Sequence, residues 1–188
     1  DRYVFTEESV LSYLEKHEQY SEYVKLLNQV PISIRSCSTV AQLLSARGNY
    51  TCFAPTNDAI QHYLDSLVTT GLITEPRWES FTDSTKLDSI RKVIVFNSVI
   101  DSGDDVDALQ TGSFPINQDA ELQLPNLNDR KLVVHYGDDA DSVYINNCKI
   151  DPINQNIPAI NGVIHCMHGV INPSNNTVGH LLSLILDE

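Results

Sequence analysis

The hydrophobic period of the chain changes near residue 95, and this change constrains the fold more than any other feature of the sequence. Before that point, apolar residues recur at three- and four-residue spacing, which is typical of amphipathic helices. After it, short β-prone runs alternate with polar breakers and predict strands at 95–100, 112–116, 121–124, 131–136, 142–149 and 162–171. Helices first and strands second indicate an α+β fold, with the helices packed against a sheet or sandwich.

Polar capping residues divide the first half of the chain into five predicted helices. An N-cap side chain accepts a hydrogen bond from the first turn of its helix. The predicted starts are Thr6, Ser21, Ser38, Thr56 or Asn57, and Asp83 or Ser84. A strand at 50–54 precedes the fourth helix and ends at Pro55, which cannot donate a hydrogen bond to a sheet.

The charge of the chain excludes two classes of partner. The 188 residues carry 25 acidic and 12 basic side chains, a net charge of −13. Nucleic-acid binding needs a surplus of Lys and Arg that displaces phosphate counterions, and binding to an anionic membrane surface needs the same surplus. No apolar run approaches the ~20 residues of a membrane span. We therefore expect neither a nucleic-acid partner nor a membrane-spanning segment.

The length predicts one domain with a short extension. A typical domain has about 150 residues, and we assign residues 1–174 to one domain. The apolar segment 175–188 is either a terminal helix of that domain or the start of a following one. Because the chain begins at Asp1 rather than Met, we expect that a leader was removed or that the chain is part of a longer protein.

Two segments resemble the signature motifs of the fasciclin (FAS1) domain family. The first is TCFAPTNDAI at 51–60, and the second is NGVIHCMHGVINP at 161–173. Between them, IVFNSVI at 94–100 occupies the place of the family's Tyr-His motif, with Phe96 and Asn97 in the positions of that pair. The family's Tyr-His pair is linked to integrin contact in animal members, so its replacement argues against that kind of receptor binding. His168 also stands where the family often has Asp.

The resemblance implies a fasciclin-like domain, with helices packed against a β-sandwich or wedge of short strands. It implies a non-catalytic adhesion or interaction module of a secreted or surface-anchored protein, and we expect a bacterial cell-surface member that is a lipoprotein. The location is then extracellular or at the cell surface. The partner is a surface protein or glycan of unknown identity, and the parent chain would carry tandem domains of this kind.

Six residues are candidates for contact with that partner. The motifs contribute Asn57, Asp58, Phe96, Asn97 and His165. The sixth is Trp78, which lies in an apparent insertion at 69–82 together with Phe81. Exposed aromatic rings are typical of sugar-binding surfaces, so the alternative function is a glycan- or cell-wall-binding module with an aromatic platform near Trp78.

The sequence predicts neither a metal site nor a cofactor. In the run 165–168, His-Cys-Met-His, strand alternation places His165 and Met167 on one face and Cys166 and His168 on the other, too few ligands for one ion. The acidic stretches 101–107 and 138–141 do not match the EF-hand spacing. We interpret them as solvated turns, with weak calcium binding as the alternative.

No catalytic constellation stands out, and we expect a protein that is not an enzyme. The best nucleophile and base are Cys166 and His168, but side chains two apart on a strand point in parallel and not toward each other. A hydrolase with a Cys/Ser–His pair is the second alternative function.

The four cysteines are Cys37, Cys52, Cys148 and Cys166. Three of them occupy strand positions that a small apolar residue would also fill, which favours free buried thiols. The alternative is a disulfide between Cys52 and Cys166.

Overall fold

The computed structural model of the chain describes residues 8–33, 35, 37–103, 106–114, 120–138, 142–146 and 148–171. Within these ranges the α-helices are α1 (Val10–Lys16), α2 (Ser21–Gln29), α3 (Val40–Ser45), α4 (Asn57–Thr69) and α5 (Ser84–Asn97). The strands are β1 (Tyr50–Pro55), β2 (Val99–Asp101), β3 (Ala120–Pro125), β4 (Lys131–Tyr136), β5 (Val143–Ile145), β6 (Cys148–Lys149), β7 (Ile157–Ala159) and β8 (Gly162–Met167). Single 3₁₀ turns lie at Glu18–Tyr20, Trp78–Ser80 and Thr111–Ser113.

Four of the five helices begin at a residue whose side chain accepts a hydrogen bond from the first turn. These N-caps are Ser9, Thr39, Thr56 and Asp83. α4 is capped by Thr56 and α5 by Asp83, in each case the first of the two predicted candidates. The predicted cap Thr6 lies outside the described residues, and Ser38 precedes the observed cap by one residue, because Thr39 forms a reciprocal capping box with Gln42.

The change from helix to strand comes later than the sequence predicts. The predicted strand at 95–100 is wrong in its first half, since α5 continues through Asn97 and only Val99–Asp101 is extended. Ile90, Ile94 and Val95 form one buried helical face against the core, and this packing outweighs the β-preference of branched side chains. The strands predicted at 121–124 and 131–136 are confirmed. The predicted run 142–149 is two strands separated by a turn, in which Asn146 has a positive φ of 49°.

Two four-stranded sheets form the β part of the fold in the described ranges. The first has the order β2-β1-β8-β7, with β1 and β8 parallel and the other pairs antiparallel. The second is antiparallel, with the order β3-β4-β5-β6. Isolated bridges from Ile100 to Asn126 and from Ile150 to Met167 connect the sheets at both sides. The two sheets are thus connected at two points.

The first sheet is covered on both faces. Cys52, Ala54, Ile164 and Cys166 point into one apolar core, which they share with the helices. The alternate residues Phe53 and Met167 point into a second core between the two sheets. The layers are therefore helices, first sheet and second sheet, which confirms the predicted α+β architecture of helices packed on a β-wedge.

Asn161 and Gly162 fix the start of β8 against three other segments. The Asn161 side chain accepts a hydrogen bond from the Val10 N–H and donates to the carbonyls of Leu44 and Ala46. At Gly162, a Cβ atom would lie 2.1 Å from the carbonyl oxygen of Tyr50, so no larger residue fits there.

No helix in the described ranges is both long enough and apolar enough to cross a membrane. The segment 175–188, predicted as a terminal helix or the start of another domain, lies outside these ranges.

Candidate functional site

The first motif forms a corner between β1 and α4. Pro55 is the last residue of the strand, and the Thr56 hydroxyl accepts a hydrogen bond from the Ala59 N–H at 3.2 Å. Asp58 lies in the first turn of α4 with an exposed side chain, where a negative charge interacts favourably with the helix dipole. The corner therefore presents one carboxylate to solvent at a fixed position.

Asn57 connects this corner to the start of α2. Its Oδ1 accepts a hydrogen bond from the Glu22 N–H at 2.9 Å, and its Nδ2 donates to the Glu18 carbonyl and to the Ser21 hydroxyl. Both the oxygen and the nitrogen of this side-chain amide are therefore hydrogen-bonded within the fold. Asn57 positions the surface more than it offers free groups to a partner.

Two open clefts flank Asn57 and Asp58. The histidine cleft has a volume of about 520 Å³ and is lined by these two residues with Gln19, His62 and His168. The tryptophan cleft has a volume of about 480 Å³.

The lining of the tryptophan cleft also includes Asn57 and Asp58, and it adds Lys25, Arg77 and Trp78. We call the two clefts together the α4 surface. Three of the six candidate residues, Asn57, Asp58 and Trp78, are thus brought to one surface.

Trp78 is half-buried and its ring is already in contact with two neighbours. The Phe81 ring is stacked with it at a centroid distance of 6.1 Å, and the Arg91 guanidinium carbon lies 5.7 Å from the Trp78 ring centroid. Gln61 on α4 donates to the Pro76 carbonyl at 2.8 Å and so holds the 3₁₀ turn of Trp78 beside the helix. Part of the ring remains open to the tryptophan cleft.

Phe96 and Asn97 do not line either cleft. Asn97 is fully buried, and its Oδ1 accepts hydrogen bonds from the side-chain amides of Asn126 and Asn128 at 3.3 and 3.2 Å. Phe96 is 8% exposed. Asn97 therefore ties the end of α5 to the turn between β3 and β4, and Phe96 belongs to the core shared with the helices.

His165 is buried in the first sheet and makes a hydrogen bond with each ring nitrogen. Nδ1 accepts from the Asn156 N–H at 3.1 Å, so the proton is on Nε2, which donates to the Leu109 carbonyl at 3.0 Å. The ring stacks on Phe53 at 5.5 Å. Burial lowers the pKa of His165 to about 4, which keeps the side chain neutral at physiological pH. In this position His165 supports two loops, and its side chain is fully buried.

The residues considered for chemistry lie in different environments. Cys166 is buried in the core shared with the helices, and this burial raises the pKa of its thiol. His168 is largely exposed, with its Nε2 3.6 Å from an Asp151 carboxylate oxygen. Among the described residues there is no group of three His, Cys, Asp or Glu side chains that could hold a metal ion.

No disulfide joins any of the four cysteines in the structure. Residue 54 of β1 pairs with Cys166 of β8, so Cys52 is displaced from Cys166 by two residues along the strand and one strand across. That offset corresponds to a Cα separation of about 8 Å, beyond the ~7 Å limit for a disulfide. The Cys52–Cys166 bridge is therefore wrong as an alternative, because it would require movement of the backbone.

Two histidines of the α4 surface were missed by the sequence-based selection. His62 follows Asp58 by four residues on the predicted helix, so both side chains had to share one helical face. That signal was available. The approach of His168 depends on the pairing of β8 with β1, which local sequence does not show.

Comparison with known proteins agrees with this geometry. The family model of the fasciclin domain matches residues 18–173. The structure is similar to the FAS1 domain pair from the insect cell adhesion molecule Fasciclin I, with a TM-score of 0.58 and 17% sequence identity over 88% of this chain and 51% of that chain. This chain thus spans about half the length of that neighbour, and no curated protein matches the sequence. By the extent of the family match, this chain belongs to the fasciclin domain family.

Proposed function

We propose that this domain is a non-catalytic adhesion module that acts outside the cell or at its surface and binds its partner through the α4 surface. Family membership supports an interaction role, and the similar domain pair comes from a cell adhesion molecule. The observation that carries the proposal is the meeting of Asn57, Asp58 and Trp78 around two adjoining clefts.

The charges on the α4 surface favour a polar partner. Glu22 and Lys25 form an ion pair of 3.1 Å along one side of the tryptophan cleft, and Arg77 pairs with Glu75. Asp58 is exposed and makes no ion pair with the described residues, so its carboxylate is available to a cationic or hydrogen-bonding group. Contacts at open, solvent-exposed clefts are weak individually. Tandem copies in the parent chain would raise the effective affinity without new contacts.

A glycan partner is the second candidate, and the exposed part of Trp78 favours it. Aromatic rings at the edge of a cleft can stack against sugar rings, but Phe81 and Arg91 already contact this ring. The platform available to a sugar is therefore smaller than a free indole face. For this reason we favour a protein partner at the α4 surface.

The test is attachment of cells from the native host to beads that carry either one or several copies of the domain. If the domain is an adhesion module, both kinds of bead should attach more cells than albumin-coated beads do. Attachment to the multivalent beads should rise by more than the number of domain copies. Attachment equal to albumin for both kinds of bead would refute the proposal. Enzymatic removal of glycans from the target cells distinguishes the candidates, because a protein partner leaves attachment unchanged and a glycan partner abolishes it.

A further inference from the structure

A third cleft lies between the end of α2 and one side of α5. Its volume is about 410 Å³, and its lining includes Val30, Pro31, Ser33, Ser89, Arg91 and Lys92. We call it the Arg91 cleft. Sites for small organic ligands usually have volumes of about 300–1,000 Å³ and combine an apolar floor with a few polar groups. The Arg91 cleft has this composition, with Val30 and Pro31 as the apolar part.

Arg91 has hydrogen-bond donors that the described residues do not use. Its side chain is only 21% exposed, and its Nε is buried without any hydrogen-bond partner. The contact with Asp88 is a single long approach of 3.9 Å between Nη1 and a carboxylate oxygen. Buried polar groups in folded proteins are almost always paired, so an unpaired donor in this structure calls for a partner such as a water molecule or a bound ligand. The planar guanidinium is suited to bidentate binding of an oxyanion.

The neighbours of Arg91 add to this preference. Lys92 makes no ion pair with a described acidic residue; its Nζ lies 5.2 Å from the centre of the Phe96 ring. Ser33 and Ser89 line the same cleft, and a serine hydroxyl can donate a hydrogen bond to an anion. The lining therefore carries two cations against one carboxylate, that of Asp88, in a protein whose net charge is −13.

We propose that the Arg91 cleft binds a small organic oxyanion, a molecule with a carboxylate or similar anionic group attached to a compact apolar body. The anionic group pairs with the Arg91 guanidinium and the Lys92 ammonium, and the apolar body packs on Val30 and Pro31. This site goes beyond the proposed adhesive function. It adjoins the α4 surface through Trp78, since the Arg91 guanidinium packs on that ring.

The experiment uses benzoate as the probe, benzamide as its uncharged analogue and inorganic phosphate as an anion without an apolar body. Amide chemical shifts of the whole chain are followed by NMR during each titration. We expect saturable shifts with benzoate at residues 30–33 and 85–92, and binding at least about tenfold weaker for benzamide and for phosphate. Equal affinity for benzoate and benzamide would overturn the proposal, because the charge would then be irrelevant. If phosphate binds as tightly as benzoate, the proposal that an apolar body contributes to binding is overturned.

Variants locate the site. Arg91→Gln and Lys92→Gln each remove one positive charge from the cleft, and both should weaken benzoate binding by about tenfold. Lys131→Gln makes the same change of charge at an exposed position on β4 and should leave the affinity within about twofold. If Arg91→Gln unfolds the protein, Lys92→Gln still decides the matter. Unchanged affinity in the folded cleft variants would refute the proposal.

Discussion

Replacing Asn161 with alanine should destabilise this domain more than most single substitutions. The side chain is 3% exposed and makes three hydrogen bonds, to the Val10 N–H at 2.9 Å, the Leu44 carbonyl at 2.7 Å and the Ala46 carbonyl at 2.6 Å. These bonds hold together the start of α1, the end of α3 and the start of β8. Alanine removes the partner of all three backbone groups at once.

The magnitude follows from the burial of those groups. A buried polar group left without a partner costs about 1–3 kcal/mol. The bonds to Val10 and Leu44 are buried, whereas the bond to Ala46 is partly exposed, so water can replace it. Two buried groups at an intermediate cost, with little from the third, give a loss of about 3–4 kcal/mol in the free energy of unfolding.

Equilibrium unfolding in urea, followed by circular dichroism, measures this loss. The matched control is Asn28→Ala, where an exposed amide donates to a carbonyl within its own helix; its effect should stay within about 0.5 kcal/mol. A loss below about 1 kcal/mol for Asn161→Ala would refute the reasoning, because the three backbone groups would then be satisfied in some other way.

Three further predictions concern the buried sheet. Burial lowers the pKa of His165 from 6.5 to about 4. Between pH 4 and pH 6.5 the imidazole is therefore protonated in the unfolded chain and neutral in the folded one. The free energy of unfolding should be at its full value above pH 6.5 and fall below it, by about 2 kcal/mol at pH 5. Urea unfolding at several pH values should show a weaker pH dependence of stability in His165→Gln than in the unmodified protein. The same pH dependence in both would contradict this prediction. Gly162→Ala should lower the free energy of unfolding by about 3 kcal/mol or more, since its Cβ would meet the backbone of Tyr50. Gly112→Ala, with open space around the new Cβ, should be neutral. Equal urea midpoints for the two variants would contradict the parallel register of β1 and β8. In native alkylation followed by mass spectrometry, exposed Cys37 should react first and Cys52, whose thiol pKa is raised to about 12 by burial, should react only on unfolding; fewer than four labels on the unfolded, unreduced chain would show a disulfide.

Local signals were sufficient for the corner that carries the candidate site. Pro55 ends a strand, Thr56 supplies the cap, and Asp58 is the acidic residue of the first helical turn. Each of these effects acts within four residues, so a single sequence can show it. The same holds for the strands 121–124 and 131–136, whose alternation is set by one buried face.

Long-range hydrogen bonds were not predictable in the same way. Asn97 and His165 are candidate binding residues because they lie in segments that resemble the family's motifs. Their partners are Asn126 and Leu109, which lie 29 and 56 positions away along the chain. A sequence does not show whether a buried polar side chain bonds to a distant part of the chain or to a ligand. For both Asn97 and His165 the observed partner is another residue of this chain.

The Arg91 cleft was missed for a related reason. Arg91 and Lys92 are adjacent in an amphipathic helix, where a charged pair is usually a solvated face. Only the packing of α5 against the end of α2, together with the ring of Trp78, removes the guanidinium from solvent.

The most direct test of the account is attachment by a folded variant with an altered α4 surface. Asp58→Lys combined with His62→Glu changes two exposed residues of the histidine cleft and leaves the core intact. Asp65→Lys, on the exposed part of α4 outside both clefts, is the control. The double variant should keep its melting temperature within a few degrees and lose at least about two thirds of its attachment to cells, while the control should keep full attachment. Full attachment by the folded double variant would contradict the claim that the α4 surface binds the partner.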